Sequence, residues 1–536
     1  KDSGLFYVYA TLNPSLESSV ESEILAELKN IQEGKFDNNS LLKAKNLIKT
    51  DTYYSRESIS NISDDLGYDF TFINDENYYD NYLKNIEKVT KEDIIRVANK
   101  YFHLDKYAIS VVRPSNYKEV SNRVENKKTY NNKLIEQRDN TKKTLLENGA
   151  TLITKKKKTN SIVAIDISFK GAKELEKKPV TSLLASLCAT KGTKNYSQAA
   201  FSEFLDENGI KLGVSRSNDV FSIVVQTTKD NLDKALLALD EVINKPLFSL
   251  DELEKIKKRQ IQELKTVSDN PSGYVFDEFR RIAFLDSIYG QNSTFILNNI
   301  NNVKREDVIE YYSRIINPKN ASIAVVGDID ETYIEQKMNE IIKSNNNEKF
   351  SYSNYKYVPY QPKSNVELTL HKKQLQAHWL ALGFKTCGIK NRKDIATLNV
   401  INSILGQGMS SRLFVKLREE KSLAYTVGSS LMTNILDGAF VTYIGTNKDS
   451  IQEAKQGLLD AVNVLKKDFV TTTELNDAKD KILGQFLLSL ETNMDEANLL
   501  GWYDTIGLDL GAYDEYKKMI QEVSQNDIIE TANKYF

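Results

Sequence analysis

The chain is poor in the side chains that most often carry enzyme chemistry. Its 536 residues include three histidines and two cysteines. A serine–histidine–aspartate site needs a correctly placed imidazole, and no such arrangement can be built around so few histidines. Cys188 and Cys387 lie far apart, and no group of cysteines and histidines has the spacing of a zinc site. The sequence therefore predicts neither a disulfide framework nor a cysteine–histidine metal centre.

Long apolar runs and a strong net charge are also missing. The formal net charge is −2, and 40% of the residues are hydrophobic. No uninterrupted apolar run is long enough to cross a bilayer, so no membrane span is predicted. The balanced charge gives no electrostatic reason to expect nucleic acid as a partner. The first ten residues, KDSGLFYVYA, resemble neither a signal peptide nor a transit peptide, and the compartment stays unassigned.

Internal repeats are the main positive feature of the sequence. Residues 86–102, 300–316 and 520–536 each combine a polar turn, an acidic residue and an amphipathic helix pattern. GLFYVYATLN (4–13) also resembles GAFVTYIGTN (438–447). The shift is 438 − 4 = 434 for this pair and 520 − 86 = 434 for the helix. We therefore expect 1–102 to superpose on 435–536, and the chain to be a piece of a longer protein.

Strand and helix patterns alternate without a strict βαβ order, which favours an α+β fold: repeated, largely antiparallel sheets with helices on one face. The lysine run at 155–158 reads as a solvated hairpin tip between two strands. The division predicted from these patterns is the C-terminal part of an upstream domain (1–114), a linker (115–143), a complete domain (144–343), a second linker (344–366) and a last domain without its final strand (367–536).

The stretch LGQGMSSRLFVKLREEKSLAYTVGSS (405–430) carries a family resemblance. It is similar to the signature of the non-catalytic domains in the insulinase/pitrilysin family of zinc peptidases, which includes bacterial zinc proteases with four homologous domains. The resemblance extends over essentially the whole chain through the repeats. It implies the fold of mitochondrial processing peptidase, with peptide hydrolysis in a chamber closed by two bowl-shaped halves.

The family's catalytic domain binds zinc with an inverted H-x-x-E-H motif on a helix and a distant glutamate. Two histidines at i and i+4 share a helix face, and the intervening glutamate is the general base. Here KGTKNYS (191–197) resembles the segment after that motif, and counting back places the motif at Leu183, Leu184, Ala185, Ser186 and Leu187. No ligand or base remains there. Glu263, near the expected third ligand, is predicted to be an ordinary helix residue.

The other histidines give no metal site either. His103 follows a helix pattern and is expected to cap it or face solvent, and His371 and His378 lie on neighbouring strands or their tips. We therefore predict no metal ligand and no catalytic residue in this chain. The Zn²⁺ expected from the resemblance would belong to an upstream domain of the full-length protein.

Arg418 and Tyr425 are the predicted substrate-binding residues. An arginine fork can bind a peptide carbonyl or carboxylate, and a tyrosine hydroxyl can donate to a developing oxyanion. The resemblance implies that this pair reaches across the chamber to substrate at the zinc site. Two local alternatives stay open: Arg418 pairs with a nearby glutamate, or Tyr425 is a core strand residue. Arg412 is predicted to be structural, orienting the loop after Gly406 and Gly408.

The predicted function is that of the substrate-enclosing C-terminal half of a zinc metalloendopeptidase, inactive by itself. The expected partners are a peptide or small unfolded protein substrate and the upstream catalytic half of the same protein. The alternative is a non-catalytic scaffold, partner subunit or peptide-binding member of the same family. Oligomeric state and substrate sequence preference do not follow from these residues.

Overall fold

The computed structural model describes residues 6, 8, 17–56, 58–73, 75, 77–104, 130–285, 287–343, 366–370 and 378–536. The first described segment is helical. Its helices are α1 (Glu17–Gln32), α2 (Asn38–Ser55), α3 (Ile59–Tyr68), α4 (Tyr78–Lys88) and α5 (Lys91–Tyr101). A π-helical turn, Asp69–Ile73, continues α3. The strand predicted at 107–112 lies outside the described residues.

The middle segment contains seven strands and eight helices among the described residues. The strands are β1 (Lys133–Arg138), β2 (Thr141–Leu145), β3 (Thr151–Lys156), β4 (Ile162–Lys170), β5 (Lys211–Arg216), β6 (Val220–Thr228) and β7 (Ala321–Gly327). The helices are α6 (Thr181–Cys188), α7 (Gln198–Glu207), α8 (Leu232–Asn244), α9 (Leu250–Thr266), α10 (Pro271–Ala283), α11 (Ser293–Asn299), α12 (Arg305–Ile315) and α13 (Glu331–Ile341).

The last segment repeats a similar succession. Its strands are β8 (His378–Thr386), β9 (Thr426–Thr433) and β10 (Gly438–Thr446). Its helices are α14 (Arg392–Gly406), α15 (Ile451–Leu465), α16 (Thr472–Leu488), α17 (Asn493–Thr505), α18 (Ala512–Glu522) and α19 (Gln525–Tyr535), and a π-helical turn spans Phe414–Glu420. Mixed helices and mainly antiparallel sheets confirm the predicted α+β class.

The two sheets have different sizes. The larger one has the order β1-β2-β3-β7-β4-β6-β5, and only the β3–β7 pair is parallel. The smaller one has the order β8-β10-β9 and is antiparallel throughout. On β4, alternate residues such as Ile165 and Ile167 pack into the main core with α6, α8 and α12. The residues between them, including Ala164, face the opposite side of the sheet.

This opposite side is covered by a helix from the other unit. Ala497 on α17 packs against Ala164 and Ala324, at the centre of the larger sheet. In return, α10 lies on β8 of the smaller sheet, where the ring of Phe279 occupies the space above Gly383. As expected, the helices of each unit lie on one face of that unit's sheet. The second face is covered by a helix of the other unit, α17 on the larger sheet and α10 on the smaller one.

The first and last segments place their helices at a constant distance along the chain. Adding 434 to the first residues of α1 to α5 (17, 38, 59, 78 and 91) gives 451, 472, 493, 512 and 525, where α15 to α19 begin. Individual hydrogen bonds repeat as well. Lys45 Nζ donates to the carbonyl of Glu87 at 2.9 Å, and Lys479 Nζ donates to that of Gln521 at 2.8 Å.

The linker predicted at 115–143 is corrected by the structure in its last part. Residues 133–143 belong to β1 and β2, which extend the larger sheet beyond β3. These strands are rich in polar residues, and ion pairs of β2 help to hold them to the rest of the protein. Lys142 lies 2.6 Å from Glu335, and Lys143 lies 2.7 Å from Asp504. Hydrophobic alternation is therefore weak there. Most of the second predicted linker, 344–365, lies outside the described residues.

The lysine run at 155–158 is not a hairpin tip. β7 lies between β3 and β4, so the run crosses from one strand to another that is not its neighbour. Lys155 and Lys157 both bind Glu496 on α17, at 2.7 and 2.9 Å. These lysines hold the exchanged helix, a role that only the packing of the two units reveals.

Candidate functional site

Arg418 lies on the exposed side of the π-helical turn that follows the glycine-rich loop. Its neighbour Leu417 is buried in the core of the last segment, while the Arg418 side chain is exposed. The guanidinium carbon lies 4.9 Å from the centroid of the Phe414 ring, a cation–π contact. Within the described part of the chain no carboxylate pairs with Arg418, which argues against the alternative of a local glutamate partner.

Tyr425 stands at the entrance to β9. Its backbone N–H donates to the carbonyl of Gly445 at 2.9 Å, so the sheet fixes its main chain. The side chain is 63% exposed, which excludes the alternative that Tyr425 is a core residue. Both predicted substrate-binding residues are thus exposed to solvent. Neither side chain is buried, so a ligand can reach both.

The loop before the π-helical turn is held by Arg412. Its Nε and one terminal nitrogen donate to the two carboxylate oxygens of Glu474 at 2.8 and 2.9 Å, a bidentate pair. Bonding to Arg412 lowers the pKa of Glu474 to about 2. Gly408 has φ = +90°, a conformation that favours glycine. This geometry agrees with the structural role predicted for Arg412 and the glycines.

Close packing fixes the other side of the loop. A side chain at Gly406 would meet the Ser429 backbone nitrogen at 2.1 Å, so the end of α14 lies directly on β9. Ser422, between the π-helical turn and β9, has φ = +53°. This left-handed residue lies between Arg418 and Tyr425 in the chain.

The middle segment does not fit a zinc ion at the family's motif positions. Leu184, Ala185 and Ser186 lie on α6 and are buried, in an aliphatic setting without donors suited to Zn²⁺. Across the described ranges, no cluster of three or more histidine, cysteine, aspartate or glutamate residues could hold a metal ion. Burial raises the pKa of the neighbouring Cys188 thiol to about 12, so its reactive thiolate form is suppressed.

The remaining candidate ligands are dispersed. Glu263 is exposed on α9 and lies 3.6 Å from Arg259, one helical turn away, which matches the ordinary helix role predicted for it. His103 is exposed after α5, and His378 is the first residue of β8. His371 lies outside the described residues. Within the described ranges, these residues do not cluster into an alternative metal site.

Sequence reasoning missed a buried polar group beneath α17. Asp166 on β4 is 2% exposed and accepts a hydrogen bond from Ser168 at 2.8 Å. Burial raises the pKa of Asp166 to about 7. A Cβ added to Gly501 would lie 2.1 Å from the Asp166 carboxylate, so the helix backbone covers it directly. The signal in the sequence is the polar pair Asp166 and Ser168 inside an otherwise apolar strand.

The fold is built from similar α+β units, and α6 has no histidine or glutamate at 183–187. Comparison with known families identifies these units. Residues 150–292 match the family model described as insulinase (peptidase family M16), and residues 302–482 match the one described as the peptidase M16 inactive domain. The chain belongs to the insulinase family.

Some of the individual relatives are described as zinc proteases and one as a non-peptidase homolog. The chain is 27% identical over 384 residues to the zinc protease PqqE of Helicobacter pylori, covering 70% of this chain and 85% of the relative. It is 25% identical over 386 residues to the non-peptidase homolog YmxG of the same organism, covering 68% and 84%. A crystal structure of a protease from Helicobacter pylori superposes with a TM-score of 0.66 at 24% identity, over 74% of this chain and 96% of that one.

Among the described residues, none of the helices combines the length and apolar character that crossing a membrane requires.

Proposed function

We propose that this chain is the substrate-enclosing half of a zinc metalloendopeptidase whose zinc site lies in an upstream unit of the same protein. The observation that carries the proposal is the exposed placement of Arg418, on the π-helical turn, and of Tyr425, whose main chain is bonded to β10. An arginine fork and a phenol hydroxyl suit the carbonyl oxygen of a peptide and the oxyanion that develops on it. The substrate class is a peptide or small unfolded protein.

The upstream unit is part of the same proposal. The five helix starts that repeat at a shift of 434 support the view that 1–102 is the end of a unit equivalent to the last one. A protein built this way would have a further unit before this chain. Since α6 has no histidine or glutamate at the motif positions, the zinc ligands and the general base would have to come from that unit.

The test uses the intact polypeptide encoded by the gene. Arg418→Ala and Tyr425→Phe should each lower kcat for a quenched fluorescent peptide by about 10²-fold, the usual effect of losing one oxyanion donor. Bound zinc, measured by atomic absorption, should stay at the wild-type stoichiometry because neither residue is a ligand.

Two exposed residues of α5 provide matched controls. Arg96→Ala and Tyr101→Phe remove the same chemical groups far from residues 405–430 in the sequence, and we expect wild-type turnover from both. Normal turnover in both the Arg418 and Tyr425 variants would show that the assigned roles are wrong.

A non-catalytic role is the second candidate. It is favoured by the aliphatic α6 and by the relative described as a non-peptidase homolog. In that case the protein would be a scaffold, a partner subunit or a peptide-binding member of the family. Peptide binding by the intact, zinc-supplemented protein, without any cleaved product by mass spectrometry, would favour this candidate over the peptidase.

A further inference from the structure

The first segment contains a groove between two of its helices, α2 and α4. The groove encloses about 510 Å³, a volume in the range of small-molecule sites. Its charged lining residues are Lys45, Lys49, Lys84 and Glu87, and its apolar ones include Leu42 and Leu83. We call this feature the α2–α4 groove. It uses none of the residues assigned to a peptide substrate.

Hydrogen bonds hold the two walls of the groove together. Lys45 Nζ on α2 donates to the main-chain carbonyl of Glu87 on α4 at 2.9 Å. Further along α2, the carbonyl of Thr52 accepts a hydrogen bond from the Tyr79 hydroxyl at 3.0 Å. Because the helices are joined at two places, their separation is fixed. The groove is therefore already formed in the protein without a ligand.

The positive charge of the groove is only partly neutralised inside the protein. Glu87 is the one acidic residue that lines the groove, and its Oε1 accepts from Lys49 Nζ at 2.9 Å. Lys45 is bonded to a neutral carbonyl. Lys84 makes no hydrogen bond or ion pair within the described part of the chain. A ligand with a negative charge is therefore favoured, and Lys84 is the group available to bind it.

The groove also exposes apolar surface beside these charges. Leu42 is 57% exposed, although it lies on the same face of α2 as Lys45. Leu83 lies on the α4 side, next to Lys84 in the chain. The part of α2 that lines the groove, from Leu42 to Tyr53, is about 16 Å long. A ligand that fills the groove therefore needs an apolar chain as well as a charge.

The fold does not require this combination of residues. The positions 434 residues after Leu42 and Leu83 hold Asn476 and Lys517, which are both polar. The helices there, α16 and α18, are nevertheless joined by the equivalent hydrogen bond from Lys479. Apolar walls beside lysines are thus a feature of the first segment and not of the repeated unit.

An acyl chain suits this lining better than a peptide does. A bound peptide has N–H and C=O groups that need partners when they leave water. The main chains of α2 and α4 are occupied by their own helical hydrogen bonds, and the carboxylate of Glu87 already accepts from Lys49. An acyl chain needs only apolar contact along its length and a cation at its charged end.

We propose that the α2–α4 groove binds a medium-chain fatty acid, with the carboxylate at Lys84 and the acyl chain along Leu42 and Leu83. The binding is reversible and non-covalent. The carboxylate replaces water at an ammonium group that has no partner among the described residues, and it gains a charge-assisted hydrogen bond. This inference is independent of the proposed peptidase function.

Isothermal titration calorimetry on the full 536-residue chain tests the proposal with sodium octanoate and with octanamide, its uncharged analogue. Octanoate should bind saturably, and octanamide should bind at least tenfold more weakly because it lacks the carboxylate. Equal affinity for the two compounds, or no saturable binding of octanoate at millimolar concentration, would overturn the proposal. Tighter binding of the acetylated dipeptide acetyl-Leu-Leu would assign the groove to a peptide end and would also overturn it.

Substitutions of the unpaired lysine locate the charged end of the ligand. Lys84→Ala should weaken octanoate binding at least fivefold, whereas Lys84→Arg should retain it because the positive charge remains. Lys518→Ala is the matched control, since it removes the same group 434 residues later, on α18, and should bind octanoate like wild type. Unchanged affinity in Lys84→Ala, or an equal loss in Lys518→Ala, would contradict binding at Lys84.

A double variant tests the apolar walls. Leu42→Asn introduces the residue type found at Asn476, and Leu83→Gln adds polarity without changing the charge. Since Leu42 is exposed and Leu83 is half-buried, the variant should unfold thermally close to wild type. Its affinity for octanoate should fall at least tenfold. Full affinity in this folded variant would show that the acyl chain does not lie in the α2–α4 groove.

Discussion

At the scale of single residues, two arginines of one stretch have different environments. Arg412 makes two hydrogen bonds to Glu474 in a half-buried setting, and Arg418 is exposed with an aromatic ring as its contact. Their spacing in the sequence does not distinguish them. The difference arises because Arg412 precedes the π-helical turn and reaches Glu474 on α16, whereas Arg418 lies on the solvent side of that turn.

The Arg412–Glu474 pair should have a measurable stability effect with a defined pH dependence. Arg412→Ala should lower the free energy of unfolding by about 1–2 kcal/mol at pH 7, because a charge-assisted bidentate pair is lost. The folded-state pKa of Glu474 is about 2, below the ordinary value of 4.5, so the pair's contribution is present above pH 4.5 and disappears as pH falls towards 2.

Urea unfolding of wild type and Arg412→Ala at pH 7 and pH 3 measures this effect. Arg412→Lys is the matched control: it keeps the charge but not the fork, and should lie between the two. A difference between wild type and Arg412→Ala that stays constant down to pH 2 would contradict the assignment.

Asp166 should produce a pH dependence of the opposite sign. Burial raises its folded-state pKa from 3.8 to about 7, so the native state binds a proton that the unfolded chain releases between these values. Stability contributed by the neutral carboxyl is therefore complete below pH 4 and is lost as pH rises to 7. The loss is on the order of a few kcal/mol.

Asp166→Asn isolates this contribution, since an amide keeps the shape of a neutral carboxyl group. Between pH 4.5 and pH 7 the free energy of unfolding should fall more steeply for wild type than for Asp166→Asn, as measured by urea titration. Parallel profiles for the two proteins would refute the raised pKa.

At the scale of elements, α17 belongs by sequence to the last unit and by packing to the middle one. The buried face of α17 carries small and polar residues. The helix is held on the larger sheet by the close contact at Gly501 and by ion pairs with lysines of β2 and β3. Lys143, Lys155 and Lys157 reach Asp504 and Glu496 across the helix at 2.7 to 2.9 Å. Close backbone approach and charge pairing together replace the large apolar contact that a typical helix makes.

Gly501→Ala should therefore be destabilising, although alanine is the better helix former. Its Cβ would lie 2.1 Å from the Asp166 carboxylate, and relieving that overlap should cost about 1–3 kcal/mol. Gly484→Ala on α16 is the matched control, because no atom of the described residues lies within 4 Å of its Cβ position. There alanine should stabilise by about 0.5–1 kcal/mol. Thermal unfolding of both variants tests the pair, and a stabilised Gly501→Ala protein would exclude close contact at this position.

At the scale of the whole molecule, the exchange of α10 and α17 ties the middle and last units together. Each sheet is covered on one side by helices of its own unit and on the other side by one helix of the neighbouring unit. Unfolding either unit alone would expose apolar surface of both. The two units should therefore behave as one cooperative body rather than as two independent domains.

Phe279→Ala tests this coupling from the side of α10. Removing a half-buried ring above Gly383 should cost about 2 kcal/mol. Native-state hydrogen exchange should show that amides of β4 and β7 lose protection together with those of β8 and β10. Loss confined to β8 and β10 would indicate that the units open separately.

Local pattern was sufficient to predict much of this molecule. The α+β class, the amphipathic helices and their acidic first turns follow from hydrophobic period and capping chemistry, which act over a few residues. Asp93 and Asp527 complete capping boxes at the starts of α5 and α19. The sequence alone also shows that 183–187 lacks the family's zinc ligands, since leucine and alanine side chains have no atom that binds a metal in any fold.

The chain's long-range partners were decided by tertiary structure alone. Three features depend on residues far away in the sequence: which strand lies between β3 and β4, which carboxylates the lysines at 155–157 bind, and which sheet α17 covers. The exposure of Arg418 and Tyr425 has the same origin, because the packing of Leu417 and the pairing of β9 with β10 orient them. Sequence by itself determined the helices and strands and the chemical groups that they carry. The packing of the two units, which exchange α10 and α17, determined which side chains are buried, paired or exposed to solvent.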